Sequence, residues 1–264
     1  MRLTAVEPEI AAAARPGQFV NILCGPCMDP LLRRPFSIYT VDKARGEFSL
    51  LYQVRGRGTT LLSQKRAGEL LDVVGPVGRP FEIDAAENVE HILVGGGCGM
   101  VPLVFLADTL LQEAKGKVST LIGAQTAGAM LCRQEFADRG LPVELSTDDG
   151  SAGRRGFVTD LLVEHLGRLD PGVEPRIYAC GPEDMLTKVA DIAAGRMNRQ
   201  PSTTNHQPPT IPCQVSLETA MACGIGVCMG CVVKTRDSTA PEGWTYKRVC
   251  ADGPVFYTTE LLWE

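Results

Sequence analysis

"HILVGGGCGMVPLVFLADTLLQEA", residues 91–114, runs from a strand-like apolar segment through a glycine-rich turn into a helix-like one. The first part, "HILVGG", is nearly continuous in its apolar character, which is how a strand covered on both faces reads. Gly97-Cys98-Gly99-Met100-Val101-Pro102 is a G-x-G-x-x-P turn. A strand that feeds a helix through glycines opens a βαβ unit and presents a helix N-terminus to which a pyrophosphate can bind. A tight turn needs glycines for its own sake, so the motif alone leaves both readings open.

The same rhythm continues downstream. "VSTLIGA" (118–124) leads to the helical "AGAMLCRQEFADR" (127–139), and "PVELSTDD" (142–149) to "FVTDLLVEHL" (157–166). "RIYACG" (176–181) leads to "PEDMLTKVADIAAG" (182–195), and "CQVSLE" (213–218) closes the series. Five strands joined by crossovers predict a doubly wound parallel α/β domain over residues 88–219. The polar, Pro-rich "MNRQPSTTNHQPPTIP" (197–212) reads as a surface loop. Where a dinucleotide fold usually places an acid, this chain has Gln125, and acids follow one strand later at Asp148 and Asp149. Those two read either as an acid–base pair or as solvated loop acids.

Upstream, residues 1–87 predict a small antiparallel β-barrel. "GQFVNIL", "PFSIYTV", "EFSLLYQV" and "GELLDVVGPVG" are short strand-like runs set apart by turns. One helix is expected among them, "GTTLLSQKR" (58–66), capped by Thr59. Within "RRPFSIY", Arg34 can fork onto a pyrophosphate and Ser37 can donate a hydroxyl hydrogen bond. An ordinary strand arginine and a plain capped helix explain the same residues.

Net charge is −5 with no Lys/Arg block, which argues against nucleic acid or an anionic membrane as partner. Apolar runs break well short of a membrane span, and "MRLTAVEPEIAAAARPGQF" lacks a signal peptide's long apolar core, so the expectation is cytoplasmic. In a reducing compartment ten cysteines point to metal or redox work before disulfides. Cys24, Cys27, Cys98, Cys132, Cys180 and Cys213 are scattered and read mostly as small buried hydrophobes. Cys24 and Cys27 form a C-x-x-C without the strand–helix setting of a redox motif. The other four are different. "CGIGVCMGC" (223–231) and Cys250 in "KRVCADGPVF" give C-x4-C-x2-C, eighteen residues, then Cys.

That spacing is the plant-type [2Fe–2S] pattern, with Cys223, Cys228, Cys231 and Cys250 as ligands. Gly224, Gly226 and Gly230 supply the sharp turning that three inward thiolates require. A four-cysteine zinc site is the rival, although it usually shows two C-x2–4-C pairs. Residues 220–264 hold too few apolar side chains for their own core, and a bound metal would staple them. His91, His165 and His206 lack catalytic company and read as structural or solvated. No Ser/Cys–His nucleophile signature is present, and no catalytic side chain is assigned.

Taken in order, these pieces resemble the electron-transfer subunits of B-type dihydroorotate dehydrogenases, within the ferredoxin reductase-like superfamily. The resemblance spans essentially the whole chain, and "MACGIGVCMGC" with "VCADGPVF" is its most specific part. It implies three domains: an FAD-binding barrel (1–87), an NAD-binding α/β domain (88–219) and a [2Fe–2S] domain (220–264). FAD would be held by Arg34, Pro35, Phe36 and Ser37, by Leu51, Tyr52 and Gln53, and by Gly58 and Thr59. The nicotinamide side would be Gly97 and Gly99 with Cys180, Gly181 and Pro182 of "YACGPEDM". It further implies electron exchange between NADH/NAD+ and the FMN of a separate catalytic subunit, two of each chain assembling as a heterotetramer. Met221, Val227, Met229, Phe256 and Trp263 are the residues expected at that contact, with some of them expected instead to pack back on the chain's own α/β domain. A reductase subunit of a hydrogenase or of a ferredoxin:NADP oxidoreductase is the alternative, as is a zinc module on an inert scaffold.

Overall fold

Short runs rich in Val, Ile, Leu and Phe pair into an antiparallel sheet near the start of the chain, as residues suited to a pleated, half-buried surface do. The computed structural model describes residues 1–25, 29–196 and 210–263. Strands β1 (Arg2–Val6), β2 (Phe19–Leu23), β3 (Arg34–Asp42), β4 (Glu47–Leu51) and β5 (Asp72–Val77) form a sheet in the order β1-β4-β3-β2-β5. The order is open. Its two edges, β1 and β5, both contribute to one cavity of about 1030 Å³.

Two helices, rather than the expected one, accompany this sheet. Helix α1 (Pro8–Ala13) buries Ile10 and Ala11, and at six residues it is too short to show a helical period in the sequence. Helix α2 (Arg57–Ser63) starts from Gly56, not from Thr59. Thr59 lies inside the first turn, where its hydroxyl accepts from the amides of Arg55 (3.0 Å) and Gly56 (3.1 Å). Phe19, Val20, Ile22, Ile38, Phe48, Leu50 and Leu62 are buried here.

The second half alternates as its sequence predicts. Strand β6 (Val89–Gly96) is buried from Val89 through Gly95, which explains the apolar run that follows Glu90 and His91. It leads to α3 (Met100–Glu113), β7 (Lys117–Ala124), α4 (Arg133–Asp138), β8 (Val143–Thr147), β9 (Arg154–Arg155), α5 (Val158–Gly167), β10 (Glu174–Cys180), α6 (Glu183–Ala193) and β11 (Cys213–Ser216). The tail adds β12 (Val232–Arg236), β13 (Trp244–Arg248) and β14 (Val255–Tyr257). β12 and β13 pair antiparallel as a small ribbon.

The large sheet runs β14-β11-β10-β6-β7-β8-β9, seven strands where five were expected. The two additions, β9 and β14, have two and three residues, too few for a readable pattern. The single helix expected over 127–139 is a 3-10 turn (Ala127–Ala129) followed by α4, with Cys132 between them at φ 60. Left-handed backbone at a non-glycine residue breaks the helix there.

Residues 1–81 and 218–255 make one unit, and residues 82–217 with 256–264 make the other. The tail thus divides after Val255: Phe256 is fully buried in the second unit, the packing-back outcome and not the partner contact.

Two of the histidines are structural. His91 is buried against the Tyr178 hydroxyl (3.2 Å). His165 bridges Glu90 (2.7 Å) and Glu144 (2.9 Å), while Ser119 donates to Glu90 and Arg168 to Glu144. This chain of partners is what lets Glu90 stay buried. His206, Cys27 and most of the 197–212 loop lie outside the described residues. Among the described residues no helix is long and apolar enough to cross a membrane.

Candidate functional site

The cysteine loop is shaped by its glycines. Gly224 (φ 65) and Gly226 (φ 84) turn through left-handed conformations, and Met229 does so at φ 56 without a glycine's freedom. The turning aims backbone amides at sulfur. Val227 and Cys228 donate to Cys223 Sγ (both 3.4 Å), Gly226 to Cys250 Sγ (3.1 Å), Gly230 to Cys228 Sγ and Cys250 to Cys231 Sγ (both 3.4 Å). Such donors stabilise thiolates and sulfides.

The four thiols sort into two pairs. Cys228 is the side chain that acts on the Cys223 thiol, and Cys231 is foremost among those that act on Cys250. Among the described residues no three His, Cys, Asp or Glu side chains gather around one metal position. Two pairs suit a two-iron cluster, where each iron takes two cysteines. The electrostatics also differ between pairs. Amide donors, that of Ile225 foremost, bring the Cys223 thiol down to about 6. Burial, and then the Cys231 hydrogen bond, push Cys250 up to about 12. A bound cation reverses the second penalty, since a coordinated thiol loses its proton.

Two side chains hold the loop from outside. Arg248, locked by Asp252 (2.9 and 3.1 Å), donates to the Gly226 carbonyl at 2.6 Å. Buried Asn21 of β2 donates from Nδ2 to the Gly224 carbonyl at 2.8 Å. Neither residue carries a sequence signal, because each acts across a long stretch of chain.

Arg34, Pro35, Phe36 and Ser37 begin β3; Leu51 ends β4, and Tyr52 and Gln53 follow it. Phe36 meets Tyr52 edge-on, with ring centroids 5.3 Å apart. A Cβ on Gly58 would stand 3.3 Å from the Arg34 side chain and 3.6 Å from Cys24 Cβ, so Gly58 leaves the space that Arg34 occupies. Arg34 Nη1 donates to the Leu32 (2.7 Å) and Arg33 (3.3 Å) carbonyls. Cys24 is an unanticipated member of this group. Burial pushes its thiol up against the opposing pull of Arg34.

In the other unit a cavity of about 460 Å³ opens at the C-terminal ends of β6, β7 and β8. Gly97, Gln125, Asp148, Thr159, Pro182 and Lys188 line it. Crevices at that end of a parallel sheet are where open α/β folds bind ligands. Gly97 sits at φ 55 with open space beside it. Gly99 has another task, because a Cβ there would collide with the Cys180 carbonyl. Cys180 itself is buried, as are Cys24, Cys132 and Cys213, whereas Cys98 in the turn is exposed. The two aspartates separate: Asp148 lines the cavity, while Asp149 binds the Ser151 hydroxyl (2.6 Å) and amide (2.9 Å). Those bonds hold the Asp149 carboxyl below its usual range and make it a turn residue. Thr159 and Lys188 had no motif to reveal them.

Residues 218–262 match the iron–sulfur cluster binding domain of dihydroorotate dehydrogenase B, and residues 93–191 match the oxidoreductase NAD-binding domain. The dihydroorotate dehydrogenase B (NAD(+)) electron transfer subunit of Desulforamulus reducens is 36% identical over 257 residues, covering 97% of this chain and 90% of that one. Its counterpart in a Geobacillus species is 40% identical over 248 residues, 94% of this chain and 86% of that one. A solved NADH-dependent reduced ferredoxin-NADP oxidoreductase superposes with a TM-score of 0.78 at 30% identity, covering 99% of this chain and 84% of that one. Ferredoxin-NADP+ reductase from Plasmodium falciparum, at 14% identity and a TM-score of 0.58 over 74% of this chain and 83% of that one, shares the fold.

Proposed function

The chain belongs to the family of dihydroorotate dehydrogenase B (NAD(+)) electron transfer subunits, and we propose that it exchanges electrons between NADH/NAD+ and the FMN of a separate catalytic subunit. The observation that carries this reading is the set of backbone amides aimed at the Cys223, Cys228, Cys231 and Cys250 sulfurs inside the matched cluster domain. When FAD and a [2Fe–2S] cluster are bound, they convert a two-electron hydride transfer into single-electron steps.

The residues divide the labour along 1–87, 88–219 and 220–264. In the first segment, the Arg34 guanidinium and the Ser37 hydroxyl meet a flavin pyrophosphate while Tyr52 and Phe36 offer ring surface. Pro35, Leu51, Gln53, Gly58 and Thr59 shape the same place. In the second, Gly97 lets a nucleotide backbone approach, Pro182 walls the cavity, and Lys188 supplies a cation for phosphate. Gly99, Cys180 and Gly181 keep the turn tight behind them. In the third, amides around the four thiolates spread the negative charge that the cluster carries. The exposed Ile225, Val227 and Met229 form an apolar rim on that loop, fitted to a partner. Two of each chain form the complex, in the cytoplasm.

A purified chain is expected to hold about two irons and two sulfides, and to reduce artificial acceptors with NADH. Dihydroorotate oxidation is expected upon addition of an FMN-bearing catalytic subunit. Zinc without sulfide, or dihydroorotate turnover by the lone chain, would overturn the reading. The likeness to the ferredoxin-NADP oxidoreductase favours one second reading, a reductase subunit of that type. Co-purification from the native host, with identification of the partner, separates the two.

A further inference from the structure

Asn21 breaks the local rule of its strand. β2 is a central strand, with Asn21 opposite Pro35 of β3 on one side and Val74 of β5 on the other. Asparagine is a poor strand former, and a buried amide is costly unless it is hydrogen-bonded. Asn21 is nevertheless 1% exposed. Its Nδ2 donates to the carbonyl of Gly224, a residue 203 positions away. The contact is tight from both directions. Gly224 stands at φ 65, and a Cβ there would overlap the Asn21 carboxamide. The donor must be on residue 21, and residue 224 must lack a side chain. Such departures from local preference mark places where function outweighs propensity.

Gly224 follows Cys223 directly, and Pro35 lies between Arg34 and Phe36. One side-chain hydrogen bond and one step across the β2–β3 ladder therefore join the cluster loop to the segment assigned to the flavin. We propose that Asn21 is a positioning residue for electron transfer, fixing Cys223 and the loop behind it to the strands that carry the flavin-binding segment. Arg248 holds the loop at Gly226 from within the tail, so it keeps the loop's shape. Asn21 sets where that shape sits on the sheet. The assignment rests on the reading of these two places as cluster and flavin sites.

The test compares the holoprotein with Asn21→Leu, which deletes the donor, and with the near-isosteric Asn21→Asp, which turns an acceptor toward the Gly224 carbonyl. In single-turnover reduction by NADH, the ratio of the cluster-reduction rate to the flavin-reduction rate should fall at least tenfold in both variants. The electron paramagnetic resonance spectrum of the reduced cluster should shift, and amide exchange across residues 223–231 should speed up. Gly224→Ala attacks the same contact from the other side and should reproduce these changes, which covers the case of an unstable Asn21 variant. An unchanged ratio and spectrum would overturn the proposal, as would loss of flavin and cluster together. Should the wild-type chain hold no flavin or cluster, the functional reading falls by itself, and amide exchange in the variants still decides whether Asn21 anchors the loop.

Discussion

Gly99 packs directly beneath the backbone carbonyl of Cys180, with no room between them for a methyl group. The N-terminus of α3 is thereby held against the end of β10. Gly99→Ala should cost about 1–3 kcal/mol, as overpacking at a rigid contact does. It should also weaken NADH binding in a fluorescence titration. Gly97, beside open space, has a different requirement, so the test is specific to the packing role. A Gly99→Ala protein with wild-type melting and affinity would refute this account.

Replacing Cys231 or Cys250 by serine should remove the reddish absorbance and loosen the tail. A cluster held there would contribute folding energy, and both residues are buried. Limited proteolysis within 220–255 is expected to accelerate in these variants. A serine variant that retains two irons per chain and resists protease would exclude that cysteine as a ligand.

Arg34→Ala should weaken FAD retention about ten- to a hundredfold, the worth of a charge-assisted contact of roughly 1.5–3 kcal/mol. The fold should survive, because the Arg34 bonds inside the protein go to neighbouring carbonyls of its own segment. Equilibrium dialysis measures the loss. Full flavin retention would show that Arg34 is no ligand.

Burial holds the His91 imidazole below its ordinary value, with Arg176 adding to the effect and Asp84 opposing it. The folded protein then binds fewer protons than the unfolded chain once pH falls below about 6.5. Stability should be fully present above that pH. Below it, stability should decline by up to about 1.4 kcal/mol per pH unit until the folded imidazole itself titrates. His91→Gln should lose this part of the slope in urea titrations between pH 5 and 8. Parallel pH profiles for the two proteins would count against it.

Val227 is 75% exposed on the cysteine loop. A charge there, Val227→Glu, should lower dihydroorotate:NAD activity of the reconstituted pair at least tenfold while NADH-driven dye reduction continues. Equal losses in both assays would place the side chain's role inside the chain and not at the partner.

Much of this architecture was legible because it is local. Buried parallel strands show apolar runs, and "ILV" of β6 was readable on that ground, while β7 and β10 were readable from the strand–helix rhythm around them. The cysteine spacing alone singles out the four thiols that the structure sorts into pairs. Where the pattern was too short, reading failed: α1, β9 and β14 carry six, two and three residues, less than any period needs to emerge. Thr59 looked like a cap, since the residue types at a cap and within the first turn overlap. Phe256 could be read as a contact residue because β14, the three-residue strand that takes it into the large sheet beside β11, is too short to announce itself.

Spacing and backbone chemistry within the sequence determined where turns must be sharp, which segments must be buried on two faces, and which thiols stand close together. Apart from Cys250, nineteen positions beyond Cys231, these are short-range constraints set by residues a few positions apart. Tertiary structure alone decided that Asn21 reaches Gly224, that Gly99 lies under Cys180, and that Asp148 lines a cavity while Asp149 closes a turn. The physical reason is that such contacts join residues whose positions depend on how the whole chain closes, and no local preference encodes them.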